Sequence, residues 1–516
     1  MSVTTGALRP AARLPERLLD ALADPVRGER NATAVLLVYA GLWTLYGAIA
    51  KGSQDIHTDM SEQFVLGREL ALGYAKHPPL AILIVRLWFA VFPAADWAYY
   101  LLASANAALA LWIAWRISAR FLSGEKRALG LALLMLVPFF NFHALKFNAN
   151  AVLMPLWAAT TLFFLRSFET RRALDAALAG ICAAAAMYGK YWSVVLLLGL
   201  ALAALTDARR VSYFRSPAPW ITVAFGAAAM APHVIWLVAN DFAPFSYAMF
   251  VHGEAPMRAA VIDALGYLAG SAAYVFVPLL IVLIAARPSR EMLADMAWPR
   301  DRARRLAAAA FWATLLLPVV LAPVMRVHLT SLWSMSAWTL LPVMLLSSPL
   351  VSIRRVDIIR AVAIACALPL AMIAVAPAIA FAIHGNAAAE GHSSLLAKPI
   401  EQLWRETTDR PLKIFEGTDI FGYGVPFYLR SHPVAFRVLE RSASAQEEAR
   451  IAEDGVVLLC PMSDANCINA AQARAARVPA SRRREIEVSR NYLGFPGKPA
   501  RYLVIAIPPL APPGER

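Results

Sequence analysis

Charge is scarce in this chain, and its placement matters more than its amount. Only 16% of the 516 residues are Asp, Glu, Lys or Arg, against 59% hydrophobic, where a soluble domain carries about 25% charged residues. Several apolar stretches approach the ~20 residues that cross a bilayer, and their interiors hold no Asp, Glu, Lys or Arg. A soluble globular protein is excluded, and a polytopic membrane protein is expected. Cysteine is also sparse, with four in all. Cys182 and Cys366 lie inside apolar stretches and read as packing residues. Cys460 and Cys467 sit close together in polar sequence, where an oxidising compartment would join them in a disulfide. No Cys/His spacing fits a structural zinc site. A cleavable signal peptide is missing too. The apolar run 34–50 ends in Ala-Ile-Ala, but it is long for a signal core and follows a leader carrying Arg9, Arg13, Arg17, Arg27 and Arg30. Residues 1–32 therefore read as a basic cytoplasmic N-terminus.

The net charge of +14 does not indicate nucleic acid, because most Lys and Arg sit in short connectors between apolar blocks. Connectors at 116–127, 166–172, 209–215, 287–305 and 354–360 are placed in the cytoplasm by the positive-inside rule. Spans are expected near 33–50, 98–115, 128–143, 151–165, 176–188, 192–206, 218–238, 264–286, 306–325, 333–350 and 361–383. That is about eleven transmembrane helices, up to about thirteen with partial segments. Residues 80–92 are too short to cross and carry Arg86, so they read as an interfacial helix on the outer face. An odd number of crossings puts residues 384–516 outside the inner membrane, in the periplasm. That segment reads as a soluble α/β domain, with strands at 412–415, 434–438, 456–460 and 502–507 and helices at 395–407 and 445–452.

Chemistry concentrates in one stretch of the transmembrane part (33–383), the outer loop 51–97. Residues 55–80 hold Asp55, Asp59, Glu62, Glu69, Lys76, His77 and the pair Pro78-Pro79 between apolar blocks. Charge so placed needs water, a partner or a task. Asp59 and Glu62, at i and i+3, share a helical face. A carboxylate could serve as base toward an acceptor hydroxyl, with Asp59 first and Asp55 in reserve. Equally, Asp55 or Asp59 could cap a helix running through Glu69. Lys76 sits at headgroup level, where it could hold a phosphate or simply snorkel to lipid. Lys146, Lys190 and Arg258 stand at outer span ends with the same two readings. His233, Trp236, His328 and Trp333 read as interfacial anchors, and Tyr247, Phe250 and Trp338 could line a groove.

Together, Asp59-x-x-Glu62, Gly73-Tyr74 and Lys76-His77-Pro78-Pro79-Leu80 resemble the first outer loop of bacterial GT-C glycosyltransferases. These are relatives of protein mannosyltransferases and of the lipid A aminoarabinose transferase. Asn148-Ala-Asn150 leading to Trp157, Gly189-Lys190-Tyr191, Pro232-His233-Val-Ile-Trp236, and Phe245 to His252-Gly253 follow in the same order, over about 33–350. The resemblance implies a GT-C fold, a polyprenyl-phosphate sugar donor and inverting transfer to an envelope lipid or glycan at the periplasmic face. It makes Asp59 the catalytic-loop acid and Lys76 a phosphate ligand, with Tyr74, His77, Asn148, Asn150, Lys190, Tyr191, His252 and Arg258 around the substrate. Three positions depart from the pattern. Met60 follows Asp59 where the family often has a second acid, and Asn150 replaces an acid. Relatives that hold a divalent metal use an acid just before the lysine and a later histidine. Ala75 takes that acid's place, which argues against a metal requirement although His252 is present. The alternatives are a lipid or glycan transporter or flippase, disfavoured by the uncharged span interiors, and a relative that binds without catalysis, in keeping with Asn150.

Overall fold

The computed structural model describes residues 14–384, 391–418 and 420–510. Arg9 and Arg13 of the basic leader lie outside them. The helical part begins with α1 (Leu14–Ala23), α2 (Gly28–Ala50), α3 (Thr58–Leu66), α4 (Leu80–Phe89), α5 (Asp96–Ser118) and α6 (Gly124–Met135). It continues with α7 (Leu153–Thr170), α8 (Ala173–Gly189), α9 (Val194–Thr206), α10 (Arg210–Phe214), α11 (Ala218–Ala239) and α12 (Ala243–His252). It ends with α13 (Met257–Tyr274), α14 (Phe276–Ala286), α15 (Arg290–Ala297), α16 (Arg302–Met325), α17 (Leu341–Leu346) and α18 (Arg355–Ile383). The leader is therefore not wholly irregular: α1 buries Leu19 and Leu22, and Asp20 reaches Arg355 at the start of α18.

Among the described residues, five helices, α2, α5, α11, α16 and α18, are long and apolar enough to cross a membrane; the pair α13–α14, bent by 56°, is a sixth if taken as one span. The other expected crossings are shorter or broken. Over 128–143, α6 stops at Met135. Pro138 opens a single 3-10 turn there and Val137 before it is extended, as a residue preceding proline prefers, so the helix breaks and the Asn141 side chain donates to the Met135 carbonyl in place of a helical N–H. Over 333–350 the chain makes 3-10 turns and then only the six-residue α17. Residues 80–92 do form a ten-residue helix, α4. Packing is tight where small residues meet: a Cβ on Gly180 of α8 would lie 2.2 Å from the Thr222 carbonyl oxygen of α11, so the two backbones touch.

The C-terminal part is a small α/β unit. Its helices are α19 (Ser393–Thr407), α20 (Phe421–Tyr428), α21 (Ala445–Asp454) and α22 (Ala465–Ala475). Its strands are β1 (Phe415–Gly417), β2 (Val456–Pro461), β3 (Arg482–Val488), β4 (Asn491–Tyr492), β5 (Phe495–Pro496) and β6 (Ala500–Ile507). The sheet order is β1-β2-β6-β3, parallel between β1 and β2 and antiparallel elsewhere. Side chains alternate between its faces. Val457, Leu459, Val504 and Ala506 join a core with α19 and α20, whereas Val456, Leu458, Leu503 and Ile505 pack with α21 and α22. Cys460 and Cys467 form a disulfide between β2 and α22. Residues 434–438 are not a strand. Apart from one bridge between Ile414 and Val434, their Phe436 and Val438 N–H groups donate to the buried Glu416 carboxylate. A side chain there does the work of a neighbouring strand.

Candidate active site

The 55–80 loop is fixed from three sides. At its start the His57 ring nitrogen accepts the Asp59 N–H (3.1 Å), so His57 is the N-cap of α3. Neither Asp55 nor Asp59 caps this helix, and it ends at Leu66 rather than running through Glu69. Beyond it the chain folds back: the Tyr74 hydroxyl donates to the Glu69 carbonyl (2.8 Å) and the Tyr74 N–H to the His77 carbonyl (3.0 Å). α11 clamps this turn. His233 Nδ1 donates to the Leu72 carbonyl (2.6 Å), which leaves Nε2 to accept the Tyr191 hydroxyl (2.8 Å). The Trp236 ring covers Gly73 so closely that a Cβ there would fall 2.3 Å from it. His233 and Trp236 thus position the loop as well as closing a span, and the Tyr191 hydroxyl is committed to His233.

The three candidate acids differ sharply. The Asp55 side chain is 4% exposed and faces the C-terminal unit. It accepts the Ser393 N–H (2.6 Å) and the Ser394 hydroxyl (2.6 Å), and pairs with Arg490 (2.7 Å). Burial raises its carboxyl above the ordinary value despite these partners. Its oxygens are taken, which moves Asp55 from the reserve base to a docking residue. Glu62, 5% exposed, is held by Lys76 Nζ (2.9 Å) and His77 Nε2 (3.3 Å). Burial opposes its charge, but His77 and Lys76 prevail and hold it below the ordinary value. Asp59 is 37% exposed. Its Oδ2 takes both Lys146 Nζ (2.9 Å) and Asn148 Nδ2 (3.0 Å), whereas Oδ1 stands 3.7 Å from His57. Burial would raise its carboxyl, yet Lys146 and Asn148 bring it below the usual carboxylate range. Asp59 and Glu62 are both held ionised, and Asp59 is the more exposed of the two.

Beside Asp59 lies a cavity of about 280 Å³ lined by its partners Lys146 and Asn148 together with His57, Asn150 and the enclosed Asp55, while Asp59 itself is not part of the lining. Lys190 Nζ donates to Asn150 Oδ1 (2.7 Å) and lies 4.6 Å from the centre of the Trp333 ring. Burial lowers its ammonium to about 8, so it stays largely charged at neutral pH. The His252 ring meets Trp333 edge-on at 5.1 Å; burial and Lys190 both favour its neutral form. Tyr247 lies 5.8 Å from Lys76 Nζ. Arg258 is exposed at the start of α13 and makes no hydrogen bond or ion pair to these residues among the described ones.

Most expected site residues therefore come together; Arg258 does not, and Asp55 and Tyr191 serve neighbouring elements. Two partners were missed. His57 carries no usual capping signature, and Tyr423 of α20, which feels the charges of Glu62 and Lys76, comes from a part of the chain more than 300 residues away.

A family model described as dolichyl-phosphate-mannose-protein mannosyltransferase matches residues 76–236. Among solved structures, ArnT from Cupriavidus metallidurans in the apo state aligns with a TM-score of 0.55 at 14% identity, over 92% of this chain and 97% of that one. The same protein bound to undecaprenyl phosphate aligns at 0.54 and 13% over the same shares. No curated protein sequence matches. In its 76–236 segment and in its fold, the chain is similar to the GT-C glycosyltransferases of the protein-mannosyltransferase kind.

Proposed function

We propose that this protein transfers a sugar from a polyprenyl-phosphate donor to an envelope lipid or glycan at the periplasmic face of the inner membrane, with inversion. The observation that carries the reading is the ionised, 37% exposed Asp59 carboxylate, whose partners Lys146 and Asn148 line a polar cavity. Asp59 accepts the proton of the acceptor hydroxyl through Oδ1 as that hydroxyl attacks the anomeric carbon. The leaving group is a lipid phosphate, and the site is built for an anion: Lys76, Lys146 and Lys190 face two carboxylates, Asp59 and Glu62. Asn150 adds to this, because an amide orients Lys190 without neutralising it. Lys76 is shared with Glu62 and remains 34% exposed, which leaves it able to turn to phosphate. The ArnT structure bound to undecaprenyl phosphate supports a donor of this class. The disulfide fits an oxidising compartment for the C-terminal unit.

The test is transfer of labelled sugar from a synthetic polyprenyl-phosphate donor by the purified chain. Asp59→Asn should abolish it with folding intact, and undiminished turnover would remove the assignment. If the labelled lipid crosses a vesicle membrane with no sugar released, the transporter reading gains instead.

A further inference from the structure

At the end of the bundle opposite Asp59, α14 and α18 leave a cleft of about 500 Å³. The placement follows from α18: its 29 residues span about 43 Å at ~1.5 Å each. Its C-terminal turn receives the Ser53 hydroxyl at the Ala380 carbonyl, next to the active-site loop, so its arginine-bearing start lies far from that loop. The walls of the cleft are apolar, from Ile281 and Ile284 on α14 and Ala361 and Ile364 on α18. Its mouth carries Arg287, Arg354 and Arg360, with Asp357 as the acid.

Two features show that the cleft is unfilled by protein. The 56° bend before α14 tilts this helix off the bundle, and it buries only Pro278 and Val282 while Phe276 and Ile284 are 58% and 64% exposed. At the mouth, Arg354 and Arg360 share the single Asp357 carboxylate (2.8 and 3.0 Å) and are themselves 72% and 68% exposed. Exposed i,i+3 pairs of this kind hold weakly, so both guanidinium groups can turn to a better partner. Three arginines above apolar walls match a phosphodiester carrying acyl chains: bidentate hydrogen bonds for the phosphate, dispersion contacts for the tails.

We infer that this cleft is a binding site for an anionic glycerophospholipid, such as phosphatidylglycerol, separate from the donor site. Free phosphate would leave the walls bare, and a zwitterionic lipid would bring a positive group to an already positive mouth.

The experiment is native mass spectrometry of the full chain released from micelles containing equal phosphatidylglycerol and phosphatidylcholine. Retention of phosphatidylglycerol at least several-fold above phosphatidylcholine is expected. The triple variant Arg287→Gln, Arg354→Gln, Arg360→Gln should lose that preference. Asp357→Asn removes the internal competitor and should strengthen it, which keeps the test alive if the triple variant does not fold. Equal retention of the two lipids by the unaltered chain would overturn the inference. So would an unchanged preference in the triple variant, or displacement of the lipid by millimolar inorganic phosphate. A dimer whose formation needs the three arginines would assign the cleft to a second copy instead.

Discussion

Asp55 and Asp59 lie four residues apart in one loop and have opposite fates. Asp55 turns toward the C-terminal unit, where backbone, hydroxyl and guanidinium donors consume its lone pairs. Asp59 turns toward the bundle, where Lys146 and Asn148 hold one oxygen while the other lies 3.7 Å from His57, and the side chain stays 37% exposed. Both are partnered, so partner count does not separate them. Where the partners leave an oxygen open, and whether water and substrate can reach it, does. A fully satisfied carboxylate contributes structure, and a half-satisfied ionised one keeps a lone pair available for chemistry, although its cationic partners weaken it as a base.

The comparison breaks most visibly in turnover. Asp59→Asn should lower transfer by about 10²–10⁴-fold, the usual contribution of a positioned base, with the thermal midpoint nearly unchanged. Should Asp55→Asn show that profile instead, the two roles are reversed. Asp55→Ala should act on stability, costing ~3–5 kcal/mol because it strands the Arg490 charge in a half-closed site. Calorimetry of the purified protein reads it, and Arg490→Ala added to Asp55→Ala should restore part of the loss. A smaller effect is expected at Lys76. Lys76→Ala should raise the KM for donor about tenfold or more, as loss of a hydrogen bond from a charged donor costs ~1.5–3 kcal/mol. Glutamine at Glu62 should partly restore donor binding by removing the stranded acid.

The subtlest test is pH. Asp59 has a depressed carboxyl, so the base is ionised above that value. Transfer should persist as pH falls through the ordinary aspartate range and fail only below it. Stability follows the same sign: what the ionised Asp59 contributes is complete above the unfolded pKa and lost as pH falls through the folded one. Lys146→Met should move the acid limb of the rate profile upward, toward the ordinary carboxylate value. An unmoved limb would mean that the titrating group is not Asp59.

Much of this was legible in the chain. Apolar length located the long helices α2, α5, α11, α16 and α18, and short continuous apolar runs located β2 and β6, because both signals are local. The loop chemistry around Asp59, Glu62 and Lys76 was legible because charge between apolar blocks is conspicuous. The broken segments over 128–143 and 333–350 were not, since hydropathy does not distinguish a helix from 3-10 turns packed inside a bundle. β3 was hidden for another reason: as an edge strand reading Arg-Arg-Arg-Glu-Ile-Glu-Val, it buries only Ile486, and edge strands carry charge where inner ones carry hydrocarbon. Segment 434–438 looked like a strand because its apolar residues are buried, while its hydrogen bonds go to Glu416.

The sequence by itself determined that this is a membrane bundle with one acidic loop and a small α/β unit after it, since those features depend on composition and short-range period. Only the tertiary structure decided which acid is enclosed by the C-terminal unit, which lysine each of the others meets and which ring lies beneath Lys190. Those partners stand up to hundreds of residues apart, and the direction a carboxylate points is set by what packs around it, which no local pattern encodes.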